Sequence, residues 1–263
     1  MKKYLLLGNG FTLNYYKFFS YDEMKIKMEN SENSDYQIFC DLLDKDDYFQ
    51  GNDFEKLMEY ITYYNSNKID QISEITKNYL TNLQGKFTTA LRNIIAELNY
   101  EMKAVIDFMN LSSNKNNLFN VSKLNSFDTV YSLNFDELLD NLGLKCVFKY
   151  LHYNRFNENH IIGATGTSKL LSINNDDVLK SVWDEFSKIE GELHIFGASL
   201  TNSDRHLIDI INKNKAIQTI YYYIYEQDNL LELELTKSRI KLEINKKVKF
   251  KNSRFLIRDI NDC

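Results

Sequence analysis

The run Tyr4-Leu5-Leu6-Leu7-Gly8-Asn9-Gly10-Phe11 decides the fold class. Four consecutive apolar residues without alternation suit a strand covered on both faces, too short for a helix and closed by glycine. An apolar strand that runs straight into Gly-Asn-Gly is how many nucleotide-binding α/β domains begin. Three later segments answer it: Val130-Tyr131-Ser132-Leu133-Asn134-Phe135-Asp136, Tyr150-Leu151-His152, and Leu193-His194-Ile195-Phe196-Gly197-Ala198-Ser199-Leu200. In each, an apolar strand gives way to glycine or polar residues, the position where open α/β sheets place ligand groups.

Between the first strand and the second lies a helical block. Phe54, Leu57, Met58 and Ile61 recur at helical spacing, followed by Ile69, Ile72, Ile75, Tyr79 and Leu83, and then by Leu91, Ile94, Leu98, Met102, Val105 and Met109. These stripes read as core faces, with Gly85 as a junction between two helices. The polar segment Ser112 to Asn117 ends the block. Beyond it the pattern predicts strands over 127–133, 145–150, 193–197, 217–225 and 248–260, with helices over 136–142, 177–189, 204–212 and 229–238. Strands alternating with helices imply parallel pairing with right-handed crossovers. The expected architecture is a doubly wound, mostly parallel Rossmann-like α/β sheet in a single domain over 1–263, with an all-helical insertion over 20–118.

The 263 residues bear a formal net charge of −5, and 43% are hydrophobic and 26% charged. This is the composition of an ordinary globular protein with a substantial core. No apolar run approaches the roughly 20 residues that span a bilayer, so no membrane insertion is expected. The four-residue apolar stretch after Met-Lys-Lys lacks the length and cleavage site of a signal peptide. Cys40, Cys146 and Cys263 are scattered and odd in number, which suits a reducing cytoplasm and argues against a disulfide framework or a zinc site. No long basic tract stands out as a nucleic-acid footprint, although Lys246, Lys247, Lys249 and Lys251 form a small local cluster, so direct nucleic-acid binding is not expected.

The candidate site residues sit at strand ends. Gly8, Asn9 and Gly10, with Phe11, would bring backbone amides close to a pyrophosphate. Leu13 occupies the third glycine position of the dinucleotide fingerprint, so an ordinary dehydrogenase loop is not matched. Asn134 can hold a ribose hydroxyl or a water, and Asp136 can balance positive charge on a sugar; alternatively Asn134 caps a helix beginning near Phe135. His152 follows a strand end, and an unperturbed imidazole takes a proton near neutral pH. The other histidines read as less well placed: His160 in a loop, His194 in a strand and His206 in a helix. Gly197 and Ser199 can bond a phosphate or ribose, while Asp204 faces a helix dipole. Glu226 is a candidate acceptor for an adenosine ribose or an exposed loop charge.

The order of these segments resembles the sirtuin-like group of bacterial antiphage defence, including abortive-infection AbiH-type proteins. The resemblance rests on strand-Gly8-Asn9-Gly10-Phe11, Asp53-Phe54-Glu55, Leu133-Asn134-Phe135-Asp136, Leu151-His152 and Phe196-Gly197-Ala198-Ser199-Leu200 with Asp204. It implies an NAD site in which Gly8, Asn9 and Gly10 contact phosphates, Asn134 and Asp136 the nicotinamide ribose, Ser199 phosphate or ribose, and His152 the moving proton. It also implies hydrolysis of NAD+ with release of nicotinamide; the alternative is a non-catalytic nucleotide sensor or scaffold, with a protein partner or a homo-oligomer. The four-cysteine zinc module of the protein deacylases is missing, which disfavours deacylation. Tyr153 stands where many members have glycine, and it would close or reshape the pocket.

Overall fold

The computed structural model describes residues 1–13, 16–45, 57, 74–111, 121–157, 159–161, 166–224 and 230–253. Strand β1 (Lys3–Leu7) is followed by helices α1 (Asn9–Leu13), α2 (Tyr21–Glu29), α3 (Ser34–Lys45), the long α4 (Glu74–Leu111) and the one-turn α5 (Val121–Leu124). Next come β2 (Thr129–Ser132), α6 (Leu138–Asn141), β3 (Val147–Tyr150), and the short antiparallel pair β4 (Tyr153–Asn154) and β5 (Asn159–His160). The chain continues through α7 (Gly166–Asn174), α8 (Asp177–Phe186), β6 (Gly191–Phe196), α9 (Arg205–Lys213), β7 (Ile217–Ile224), α10 (Leu230–Glu243) and β8 (Val248–Asn252).

Six strands form one sheet in the order β3-β2-β1-β6-β7-β8, and every neighbouring pair is parallel. The chain builds outward from β1 through β2 to β3, then returns to the other side of β1 and builds outward again. That is the strand order of a doubly wound Rossmann-like sheet, and its direction reverses between β1 and β6. Leu7 lies opposite both Ser132 and Phe196, and Ser132 opposite Tyr150. Strands β3, β2, β1 and β6 therefore end level, which brings the residues that follow them to one edge.

β1 is apolar throughout because both of its faces are covered. Leu5 and Leu7 face a core shared with Ile94, Leu98 and Met102 of α4 and Leu138 and Leu139 of α6. Tyr4 and Leu6 face the opposite core, with Leu179, Trp183 and Phe186 of α8, Leu207 and Ile211 of α9, and Ile240 of α10. Complete burial of the three β1 leucines contributes roughly 5–9 kcal/mol as an upper bound.

Helix α4 runs unbroken through Gly85, where a junction between two helices is expected from the sequence. Thr88 and Thr89 bond back to the carbonyls of Gln84 and Gly85, and Leu83 and Phe87 pack into the core on either side. One exposed helical glycine costs about 1 kcal/mol, less than burying a single large side chain returns. Leu91, Ile94, Leu98 and Met102 form the buried stripe that their spacing predicts, and Leu57 is also buried. Asp53, Phe54, Glu55, Met58, Ile61, Ile69 and Ile72 lie outside the described residues, as do the side chains of Ile75, Tyr79 and Met109.

The helix expected over 136–142 starts only at Leu138. α7 and the β4–β5 pair are not anticipated by the pattern, and His160, expected in a loop, lies in β5. The strand expected to 260 is described as far as Asn252. No helix among the described residues is long and apolar enough to cross a membrane.

A Cβ at Gly85 would meet nothing within 4 Å. Gly85→Ala is therefore expected to raise unfolding stability by about 0.5–1 kcal/mol in urea titration; a loss of stability would show that the helix is broken there.

Candidate functional site

The turn after β1 and the turn after β6 meet backbone against backbone. Gly8 N–H donates to the Phe196 carbonyl at 2.8 Å and Gly10 N–H to the Gly197 carbonyl at 2.9 Å. A Cβ on Gly8 would lie 2.5 Å from the Ala198 Cα, and one on Gly197, whose φ is +70°, would lie 2.4 Å from the Phe11 nitrogen. The glycines are thus required by chain crossing. The amides of Gly8 and Gly10, expected to approach a pyrophosphate, are already engaged within the protein, and Phe11 N–H bonds the Gly8 carbonyl. The Phe11 side chain is also not at the ligand edge. It is 2% exposed and packs edge-on against Phe196 in the core.

Beside this crossing lies a cavity of about 490 Å³ at the ends of β1, β2 and β6, within the size range of small-ligand sites. Gly8, Asn9, Gly10, Asn134, Asp136, His152, Gly197 and Ser199 all border it. Phe19, Tyr21 and Met24, with Leu91 and Ile95 of α4, supply an apolar wall from the helical region after β1. Asn9 donates its side-chain amide to the Phe19 carbonyl at 3.0 Å, which ties the first turn to that wall. Glu226 lies outside the described residues.

Asn134 and Asp136 are linked through Thr12, a buried residue that the sequence reading does not single out. The Asn134 amide donates to Thr12 Oγ1 at 2.9 Å, and the Thr12 hydroxyl donates to Asp136 Oδ2 at 2.5 Å. Asp136 Oδ1 accepts from Leu138 N–H at 3.0 Å. The N-cap of α6 is Glu137, so Asn134 does not cap that helix and its side chain is committed to the site. Asn134 Oδ1 is buried without a hydrogen-bond partner, an arrangement that is costly unless something else meets it. Burial raises the Asp136 pKa to about 6, against the bonds from Thr12 and Leu138, which favour the carboxylate.

His152 differs from the expected free imidazole. It is 2% exposed, and its Nε2 lies 3.1 Å from Nε2 of His206. The rings of Trp183 and His206 stack against it. Burial, then the charge of Lys169, then His206 hold its pKa well below the ordinary value, despite a favourable contact with the Leu133 backbone. Burial and Lys169 likewise bring His206 down to about 3. His206, judged less well placed from sequence, is therefore the partner of His152, and both rings are neutral at pH 7.

Lys169 is the least expected wall residue, only 1% exposed and bordering the cavity. Its Nζ lies 3.8 Å from Asp204 Oδ1, so Asp204 balances a buried cation. Its side chain makes no capping hydrogen bond to α9. Nothing in the sequence marks Lys169, because α7 shows no pattern of its own. Thr12 and His206 have a faint signal, as polar residues among apolar neighbours close to Gly10 and Asp204. Tyr153 does not close the cavity. It is buried beside His160, donating its hydroxyl to Glu137 Oε1 at 3.0 Å. Among the described residues, no cluster of histidine, cysteine and carboxylate side chains suited to a metal is present.

No family model and no curated protein matches this chain. The sirtuin-like resemblance therefore rests on its short ordered motifs.

Two outcomes test the buried network. Thr12→Val removes the hydroxyl at nearly constant volume, and is expected to cost about 1–3 kcal/mol in chemical denaturation because Asn134 and Asp136 lose a shared partner. The raised Asp136 pKa means that the folded state binds more protons between about pH 4 and 6. The Asp136 contribution is therefore fully present below pH 4 and fades as pH rises through 6. The neutral histidines act oppositely, favouring the fold above pH 6.5 and losing that contribution as pH falls. Stability measured from pH 4 to 7 should accordingly rise more steeply with pH in Asp136→Asn than in the parent; parallel curves would contradict the buried carboxyl.

Proposed function

We propose that this protein binds NAD+ in the cavity at the β1/β6 crevice and hydrolyses the bond between nicotinamide and ribose, as an effector of bacterial antiphage defence. The observation that carries the reading is Asn134. Its Oδ1 is buried without a partner, the residue borders the cavity, and an amide oxygen left unsatisfied there is suited to accept a hydrogen bond from a ribose hydroxyl. The apolar wall of Phe19, Met24, Leu91 and Ile95 suits a planar ring, and Ser199 with Lys169 supplies polar and cationic groups elsewhere on the lining.

In this reaction the C1′–N bond breaks, water supplies the oxygen that bonds to C1′, and one proton leaves that water. Nicotinamide departs as a neutral base from a cationic nucleotide, so the leaving group requires no acid. The site must stabilise positive charge on the ribose and guide the water. Asp136, ionised above about pH 6, supplies negative charge, and Thr12 holds it in line with Asn134. Incubation with NAD+ is expected to release nicotinamide, with Asn134→Ala reducing the rate by about 100-fold, the scale of removing one preorganised transition-state contact. Unchanged turnover in Asn134→Ala would overturn the site.

One observation favours a second reading, a nucleotide sensor without turnover. His152 has little proton affinity and faces His206, a poor state for a general base. In that case calorimetry detects nucleotide binding, Asn134→Ala weakens it, and no nicotinamide appears.

A further inference from the structure

Lys169 occupies a place that packing alone does not explain. It is 1% exposed, and a buried ammonium is costly unless charge and hydrogen bonds compensate it. Its position on the helix adds to that cost. α7 begins at Gly166, so Lys169 lies at the end of the first turn, where the helix dipole favours an anion over a cation. The start of α9 packs against the same turn: a Cβ on Gly166 would lie 2.9 Å from the His206 nitrogen. Two helix N-termini and one ammonium thus meet, with Asp204 Oδ1 at 3.8 Å from Nζ supplying negative charge against them. Asp204 offsets the ammonium only in part, because the charge of Lys169, after burial, still lowers the proton affinity of His152 and His206.

That positive potential faces the cavity. Among the described residues that border it, Lys169 is the only lysine or arginine, and Ser199, Thr201 and Ser203 on the chain leaving β6 border it as well. The glycine turn cannot take the same part, since the Gly8 and Gly10 amides donate to the Phe196 and Gly197 carbonyls. Asn134 stands at the exit of β2 and the Lys169–Asp204 pair near the exit of β6, on opposite sides of β1. Strands two places apart in a sheet are about 10 Å apart. A ribose held by Asn134 does not by itself span that distance, whereas a ribose that carries phosphates does.

We infer that Lys169 is the anion anchor of the cavity: it binds the diphosphate of a nucleotide ligand, with the hydroxyls of Ser199 and Thr201 beside it. The site therefore takes phosphorylated nucleotides and binds unphosphorylated nucleosides far more weakly. Naming a diphosphate rests on the nucleotide reading of the cavity, whereas the cation at its edge does not. Asp204 has a matching part. Its side chain makes no capping hydrogen bond to α9, and it holds a counter-charge beside Lys169 that an incoming phosphate competes with.

Calorimetric titration of the full chain with inorganic pyrophosphate, ADP-ribose and nicotinamide riboside tests it. Lys169→Met/Asp204→Asn removes both charges together and so leaves neither buried alone. It is expected to bind pyrophosphate and ADP-ribose at least about tenfold more weakly than the parent, the scale of losing one charged hydrogen bond, with riboside affinity unchanged. Asp204→Asn alone should bind pyrophosphate more tightly than the parent, the opposite of what a purely structural ion pair predicts. A double variant that binds pyrophosphate and ADP-ribose like the parent would overturn the anchor and leave the nucleotide reading standing. A double variant that loses riboside as much as ADP-ribose would also overturn it, because the lysine would then shape the cavity rather than hold an anion. Pyrophosphate binding that depends on Lys169, without any binding of ADP-ribose or riboside, would support the anchor and remove the nucleotide reading. A parent that binds none of the three overturns both.

Discussion

The backbone contact between Gly8-Asn9-Gly10 and Gly197-Ala198 is the constraint on which the ligand edge depends. Two amide-to-carbonyl bonds join turns that leave adjacent parallel strands, and neither turn has room for a side chain where they cross. Because β1 and β6 flank the point where sheet building reverses, the crossing fixes the floor of the crevice beside the cavity. Gly8, Gly10 and Gly197 therefore serve the architecture first, and they define one edge of the cavity. The next turn of chain carries some strain as well: Leu200 has a φ of +50°, and its carbonyl accepts a hydrogen bond from the Arg239 guanidinium at 2.9 Å, which ties the β6 exit to α10.

On that floor the cavity is divided by chemistry. The Thr12 hydroxyl connects Asn134 to Asp136, so the three residues keep one geometry. Burial pushes the Asp136 carboxyl and the His152 imidazole in opposite directions, since each environment disfavours the charged form. The carboxyl still ionises near neutrality, whereas the histidine stays uncharged. This difference shifts weight from His152 towards Asp136 as the group that can carry charge in any reaction. Lys169 contributes to the low basicity of both stacked histidines while Asp204 balances it.

The long helix α4 links the fold to the cavity. Its Ile94, Leu98 and Met102 cover one face of β1, and its Leu91 and Ile95 border the cavity. Packing of the helical region and shape of the apolar wall are consequently one property. A ring seated there would contact side chains that also hold α4 on the sheet.

Hydrophobic periodicity and glycine placement suffice for the class of fold: an uninterrupted apolar β1, later strands separated by helices, and polar residues directly after strand ends. Those are local signals, because burial on both faces and termination of a strand act within a few residues. They carried Gly8, Asn9, Gly10, Asn134, Asp136, His152, Gly197 and Ser199 to one edge of the sheet. Their hydrogen bonding and charge follow instead from long-range packing. Thr12 lies 122 residues from Asn134 in sequence and His206 lies 54 from His152, so their hydrogen bonds leave no periodic trace. Lys169 becomes a wall residue through the packing of α7, whose sequence carries no clear pattern. The weak basicity of His152 likewise arises from burial and neighbours, and the engaged amides of Gly8 and Gly10 from a strand nearly two hundred residues away. A sequence states which side chains follow each strand, while the charge and hydrogen bonding of those side chains depend on what the folded chain brings around them.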